Sequence, residues 1–302
     1  MTIHPVPVPL LTGLLAERIH RDNEAEGKRP KAFDTLLRNS GAGKCARQLG
    51  LAAAGYEESD PPDISGEWVM WLGSLIHEKW QEAAIDMLEF DIVDPEFQVR
   101  FGDLTSGHLD ARIRLVDGRL VAYELKTRGA TGFDRAIGLD RRFFKEKPLE
   151  GPTTSDKLQG ALNAYAIGAD LMVIGIIGLE AVSKAFARKL GFEDLRRIMA
   201  EWHYTREEYE PWAIAELDRM EEIADHLRSD VLPPRWAVGD DMTQVELDPD
   251  ASRPAWQCDY CSHRTTCSYA GPGAVRLPLD GIPVPVGFKQ GGSHGRHRET
   301  GA

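Results

Sequence analysis

The chain has 302 residues, 42% of them hydrophobic, and a formal net charge of −12. That length suffices for one large core or two modest lobes. The acidic balance excludes long-range electrostatic capture of nucleic acid, which needs an excess of Lys and Arg, but it leaves room for a local basic groove and suits a site that binds divalent cations.

The N-terminal MTIHPVPVPLL lacks a basic stretch followed by a long apolar one, so no secretory signal is expected and the cytoplasm is the expected compartment. Leu10, Leu11, Leu14, Leu15 and Ile19 fall at helical spacing and predict a helix from Leu10 to Asp22, with a second helical stretch beginning over Phe33 to Leu37. After SGAGKC, the segment CARQLGLAAAG reads as a short helix with Cys45 near its start, and EESDPPDISG reads as a loop. Val69, Leu72, Leu75, Ile76, Trp80, Ala83, Ala84 and Met87 form one face of a helix from Glu67 to Leu88, which carries His77. From Phe97 to Thr127 the period changes to two, with turn residues at Asp103 and Asp117-Gly118, predicting three antiparallel strands. Residues 128–154 form a basic, Gly-containing excursion in which Arg135, Arg141, Arg142, Lys145 and Lys147 are candidates for a strand-contacting groove, although such a run is usually a solvated face. A helix from Ser155 to Ile167 and a buried strand over LMVIGIIGL (171–179) follow; that strand is too short to cross a bilayer. Arg206 to Leu227 is a further helix, ended by Leu232-Pro233-Pro234-Arg235. Gly271 to Ala302, rich in Gly, Pro and His, is expected to be a disordered tail.

Four cysteines occur in the whole chain. Cys258, Cys261 and Cys267 form a C-x2-C-x5-C cluster, and Cys45 lies more than two hundred residues earlier. A tetrahedral metal or an iron-sulfur centre needs four soft ligands, so Cys45 is the candidate to complete the set and staple the two ends of the chain together. Thiolate count and softness admit Zn²⁺ as well.

The second constellation is harder: His77, Asp110, Glu124 and Lys126. Its geometry depends on the register of the hairpin around Asp117-Gly118, because a slip of one residue moves every side chain to the other face. A two-residue turn would set Asp110 and Glu124 on opposite faces. A three-residue loop with Gly118 left-handed pairs Leu115 with Arg119, and so Asp110 with Glu124. The same register sets Leu109 against Leu125, Ala111 against Tyr123 and Ile113 against Val121 on one apolar face. Two carboxylates on neighbouring strands suffice to anchor Mg²⁺ or Mn²⁺, which prefers hard oxygen ligands and keeps several waters. The cation would activate water and neutralise a scissile phosphate. Lys126, two residues after Glu124, could orient that water or stabilise developing charge, and His77 could add an imidazole. Taken alone, E-x-K occurs in many unrelated chains.

Together these residues resemble the PD-(D/E)XK nuclease superfamily, and specifically its RecB-like exonucleases that carry an iron-sulfur cluster, including the CRISPR-associated Cas-four exonucleases and phage relatives. The resemblance runs from Cys45 to Cys267. CARQ at Cys45 looks like the opening motif, GSLIHE supplies His77, HLDARI supplies Asp110, and YELKT supplies Glu124 and Lys126. KLQGALNAYAIGA is similar to the motif whose Gln and Tyr approach substrate, giving Gln159 and Tyr165, and LPPR before the cysteine cluster looks like the cluster-binding end. One departure is that the family spaces Gln and Tyr one helical turn apart. Here they are six residues apart and point to different sides, with Asn163 one turn after Gln159.

The resemblance implies an α/β, restriction-endonuclease-like core with a central mixed sheet flanked by helices, spanning residues 10–270, plus a cluster lobe from about 34–55 and 232–270. It implies a 4Fe-4S cluster on Cys45, Cys258, Cys261 and Cys267, Mg²⁺ or Mn²⁺ at His77, Asp110 and Glu124, and hydrolysis of DNA ends, single-stranded ones above all. Recombination, repair or foreign-DNA processing is the implied setting, with recombination or CRISPR-adaptation proteins as partners and no membrane. The competing expectations are a non-catalytic DNA-binding or assembly protein that keeps the fold and cluster, and a structural zinc protein with an accidental E-x-K.

Overall fold

Helix α1 (Leu10–Gly27) opens the computed structural model, which describes residues 10–282 apart from 28–34, 86–89, 141–142, 144, 192–194 and 253–254. The next element corrects an expectation, because at Leu37 a two-residue strand β1 (Leu37–Arg38) and a 3-10 turn (Asn39–Gly41) stand in place of helix. The Leu36 and Leu37 N–H groups donate to the Asp103 and Leu104 carbonyls at 3.0 and 2.8 Å, so pairing to a sheet edge overrides local propensity. Helices α2 (Ala46–Ala53), with Cys45 as its N-cap, and α3 (Ile64–Ile85) follow as expected, and the predicted end of the latter at Leu88 lies outside the described residues.

Strands β2 (Phe90–Phe101), β3 (Thr105–Leu115) and β4 (Leu120–Arg128) are the three antiparallel strands foreseen. The basic excursion contains α4 (Ala130–Ala136) and a small ribbon of β5 (Leu139–Asp140) with β6 (Lys145–Glu146). Helix α5 (Thr154–Ile167) and strand β7 (Leu171–Gly178) come next, followed by α6 (Lys184–Leu190) and β8 (Met199–Thr205), which the sequence reading did not foresee, and then α7 (Arg206–Arg228). The C-terminal part holds β9 (Val231–Leu232), β10 (Trp236–Val238), β11 (Gln244–Glu246), α8 (Trp256–Asp259), α9 (Arg264–Ala270) and β12 (Val275–Arg276).

The main sheet runs β1-β3-β4-β7-β8, with β2 paired along β3. Its β4–β7 pair is parallel, from Val121↔Leu171 to Arg128↔Gly178. Strand β7 is apolar without alternation because both of its faces are covered. Helix α5 packs on one face, where Ala161 and Ala164 meet Ala122, Met172 and Ile174. Helix α3 covers the other, stacking Trp80 on Tyr123 with ring centroids 4.6 Å apart. This is an α/β core with a central mixed sheet flanked by helices. Among the described residues no helix is long and apolar enough to cross a membrane. Gly175 of β7 lies where an added Cβ would meet the Tyr123 hydroxyl, which donates to Glu201 at 2.6 Å. Gly175→Ala is therefore expected to cost about 1–3 kcal/mol by forcing this packed layer apart, and denaturant melts comparing the two proteins check it.

The β3–β4 hairpin takes the register that the three-residue loop predicts. Leu115 N–H donates to the Arg119 carbonyl at 2.9 Å, Gly118 has φ +89°, and Ala111 pairs with Tyr123 and Ile113 with Val121. The ladder runs no further than Ala111↔Tyr123. Beyond it β3 leaves β4 while staying with β2 as far as Phe101↔Thr105, and β1 pairs with Thr105 and Ser106. Leu109 consequently does not share a face with Leu125. It packs with Ala122 and Ile174 on the α5 side, whereas Leu125 packs with Ala111 and Ile113 on the α3 side.

The stretch from Gly271, expected to be a disordered tail, begins as a packed strap. Arg47 is fully buried and donates to the carbonyls of Pro233 (2.6 Å), Gly271 (3.1 Å) and Gly273. Strand β12 pairs with β9, and Leu279 N–H donates to the Tyr56 hydroxyl at 2.7 Å. Residues 283–302 lie outside the described residues.

Candidate active site

The site sits where β3 and β4 part. Glu124, on β4, is 2% exposed, and both of its oxygens are engaged. Lys126 Nζ donates to Oε1 at 2.7 Å, Gln159 Nε2 to the same oxygen at 2.5 Å, and Asn163 Nδ2 to Oε2 at 3.0 Å. Lys126 also donates to Gln159 Oε1 at 3.0 Å. Gln159 and Asn163 are one helical turn apart on α5 and so share the face that looks onto β4. That helix is pinned at its start, since Thr153 and Asp156 form a capping box and Arg128, at the end of β4, grips Asp156 at 2.7 and 2.5 Å. Gly160 lets it lie close to the sheet, because a Cβ there would meet Met172 Sδ at 2.9 Å.

A buried amide chain props the two strands apart. Thr105 Oγ1 donates to Asn39 Oδ1 at 2.9 Å, Asn39 Nδ2 to Asn163 Oδ1 at 2.8 Å, and Asn163 reaches both Glu124 and the His108 carbonyl, the latter at 3.2 Å. Asn39 and Asn163 are both fully buried. Neither was singled out as functional from sequence; the available signal was Asn163's position one turn after Gln159.

Asp110 stands on the other side of the parting. Its Oδ2 accepts the Leu125 N–H at 2.7 Å, the donor that would otherwise continue the ladder, and its Oδ1 lies 3.1 Å from His77 Nδ1 on α3. Gln81, one turn after His77, donates to the Asp110 carbonyl at 3.2 Å. Gly73, one turn before His77, lies 3.2 Å by its would-be Cβ from Thr127 Oγ1, so this turn of α3 rests close against β4.

The groups feel one another electrostatically. Burial pushes the Glu124 carboxyl up to about 7, against the pull of the Lys126 ammonium and with a further push from the Asp110 charge. Burial works against the Lys126 ammonium, but the charges of Glu124, Asp156 and Asp110 outweigh it and hold the group above its ordinary range. His77 is likewise disfavoured as a cation by burial and raised on balance by its hydrogen bond to Asp110 and that residue's charge.

The structure thus brings His77, Asp110, Glu124, Lys126 and Gln159 into one neighbourhood. Tyr165 is not with them; six residues beyond Gln159, it turns to stack on Phe101 at 6.3 Å. Of the basic excursion, Lys147 pairs with Asp140 at 2.8 Å and Lys145 lies 5.3 Å over the Phe143 ring, while Arg141 and Arg142 fall outside the described residues. The wide surface hollows along α7, lined by residues such as Asp218, Glu221, Glu222 and Asp225, contain none of this set.

Among the described residues no three His, Cys, Asp or Glu side chains converge on one point as an ion site would require. The reason at Glu124 and Asp110 is visible: each carboxylate is already satisfied by protein donors. Hard oxygens beside an imidazole are nevertheless the donor types that Mg²⁺ or Mn²⁺ takes. A cation entering here would take the place of a protein donor on Glu124 or Asp110.

The four cysteines line a single small cavity, with Arg235, Arg264 and Gln48 among the other wall residues, and all four are free of disulfides. Cys45 comes from the N-cap of α2 and the others from α8, α9 and the turn between them. Burial raises the Cys45 thiol and pushes those of Cys258 and Cys261 up to about 11. Only a bound cationic centre would make all of them thiolates at neutral pH. Thiols that surround a volume without meeting at a point suit a cubane, which is gripped at its corners, better than one zinc ion. His263, buried between two of the cysteines in sequence, is not on the cavity wall.

No family model matches the chain, and no curated protein matches it. Among solved structures it is similar to SSO0001, at 16% identity and a TM-score of 0.47 over 85% of this chain and 95% of that one. It is also similar to an alkaline exonuclease from Laribacter hongkongensis, at 14% identity and a TM-score of 0.32 over 53% of this chain and 73% of that one. Likenesses this slight leave the functional reading to the site's own chemistry.

Proposed function

We propose that the chain is a Mg²⁺- or Mn²⁺-dependent deoxyribonuclease of the PD-(D/E)XK type that hydrolyses phosphodiester bonds at DNA ends, single-stranded ends above all. Its setting would be recombination, repair or foreign-DNA processing in the cytoplasm, with recombination or CRISPR-adaptation proteins as partners. The observation that carries this reading is the parting of β3 from β4, which sets Asp110 and the Glu124–Lys126 pair around one opening between α3 and α5. Asp110, Glu124 and His77 would hold the cation, which supplies a more acidic bound water and charge neutralisation at the scissile phosphate. Lys126, kept protonated by its acidic neighbours, stabilises charge developing on the phosphoryl oxygens. Gln159 holds the Lys126 ammonium in place. The cysteine cavity would hold a 4Fe-4S cluster that staples the chain's two ends.

Digestion of 5′- and 3′-labelled single- and double-stranded DNA, with Mg²⁺ or Mn²⁺ and with chelator, tests the reading; absence of cation-dependent products from every substrate overturns it. The satisfied hydrogen bonds around Glu124 favour a second reading, a DNA-binding or assembly protein that keeps the fold without catalysis. The same digestion separates the two. A pH profile sharpens the first. Glu124 keeps its proton up to about pH 7, well above its ordinary range, and only its ionised form binds a cation. At subsaturating cation the rate should therefore rise about tenfold per pH unit below 7 and level off above it. A flat rate from about pH 5.5 to 8.5 removes Glu124 from the cation site.

A further inference from the structure

Arg235 forms part of the wall of the cysteine-lined cavity and is only 5% exposed. Its backbone is fixed by the Leu247 N–H, which donates to the Arg235 carbonyl at 2.7 Å. Its guanidinium is fixed as well: Nη2 donates to the carbonyl of Cys267 at 2.7 Å, and Nη1 faces the exposed carboxylates of Asp248 and Asp250 at 3.8 and 3.6 Å. The remaining nitrogen, Nε, is buried and has no hydrogen-bond partner. A guanidinium clamped on two nitrogens with an unmet N–H on the third is costly in a dry site unless an acceptor arrives.

The other two guanidiniums near the cysteines are used differently. Arg47 spends its donors on the carbonyls of Pro233, Gly271 and Gly273. Arg264 pairs with Asp259 at 2.9 Å and donates to the Pro249 carbonyl at 3.1 Å. Arg235 alone of the three keeps an unmatched buried donor beside the thiols, among the described residues. Four thiolates with a sulfide-bridged iron core carry net negative charge and sulfur lone pairs, the acceptor chemistry this N–H lacks.

We propose that Arg235 is a positioning residue for the group the four cysteines hold, its Nε–H donating to a sulfur of an anionic iron-sulfur centre and so favouring the more negative, reduced form. This rests on the iron-sulfur reading of the cavity. Hydrogen bonds to cluster sulfur and nearby positive charge are levers by which a protein sets the potential and the lability of such a centre.

The test uses the full chain purified without oxygen, as wild type and as Arg235→Lys, which keeps the charge and removes the planar donor. Both proteins are assayed for iron and sulfide and titrated potentiometrically by absorption. The expected result is equal iron content with a tenfold shift toward the oxidised form at fixed poise in the variant, which is 59 mV for a one-electron couple, together with faster loss of iron to chelator. Unchanged potential and unchanged iron release at full iron content overturn the assignment. A second measurement needs no substitution: in wild type labelled with ¹⁵N-arginine, nuclear-coupled electron resonance of the reduced centre should detect an arginine nitrogen and an exchangeable proton, and their absence overturns the proposal. A colourless wild type holding zinc and no iron overturns the iron-sulfur reading itself, and this assignment with it.

Discussion

Glu124→Gln is expected to abolish cation-dependent DNA hydrolysis, with a fall in kcat of at least about 10³-fold, while the protein stays folded. The amide removes the charge that would grip the cation, and it leaves Lys126 without its closest anionic partner. Folding survives because glutamine still offers an oxygen to the Lys126 ammonium, and Asp156 and Asp110 remain to balance that cation. The pocket also loses a buried anion that its own surroundings disfavour. Measured side by side, the variant should bind a labelled single-stranded oligonucleotide about as well as wild type and release no product. Retention of more than about a tenth of wild-type activity would remove Glu124 from the reaction and the metal-dependent reading with it.

Cys45→Ala is expected to have the largest effect on stability. Cys45 is the one cavity cysteine from the N-terminal part of the chain, so its loss breaks the only thiol link between α2 and the C-terminal segment. Where a metal group binds the folded chain alone, its binding free energy is folding free energy. Losing one ligand in four should thus cost several kcal/mol and lower the melting midpoint by about 10 °C. Iron content should fall together with the brown colour. An unchanged melting curve with unchanged metal content would mean that the cavity packs its thiols without a bound centre. Cys258→Ala offers a check from the other side of the cavity, because a shared group predicts the same loss of metal from either variant.

The parts of this chain that were legible beforehand are those whose information is local or periodic. Register between β3 and β4 could be read because apolar alternation and a Gly left-handed turn select the same pairing. Asp110 and Glu124 were correctly aligned by it, yet the ladder stops one residue short of them. What parts the strands is an amide contact between Asn39 and Asn163, 124 positions apart, and no local pattern announces such a pair. The face of Leu109 was misjudged for the same reason, since alternation assumes that a strand keeps its partner. Tyr165 was carried by resemblance, and helical geometry had already turned it away from Gln159. The strap after Gly271 reads as tail by composition, but it is held through carbonyl groups, which carry no side-chain signature, by the buried guanidinium of Arg47. At the cysteines, type and number sufficed to foresee a common cavity, although they could not foresee Arg235 on its wall.

A cavity walled by Cys45 at one end of the chain and Cys258, Cys261 and Cys267 at the other also dictates a schedule on the ribosome. More than two hundred residues must be translated between the first thiol and the next, roughly 10–40 s at ordinary rates of synthesis. Throughout that interval Ala46 and Leu51 lack Leu232, Cys267 and Leu279, the later residues that complete their apolar layer. Loading of the centre must therefore follow translation, so nascent chains starved of iron should be most vulnerable to proteases at the segment that emerges first.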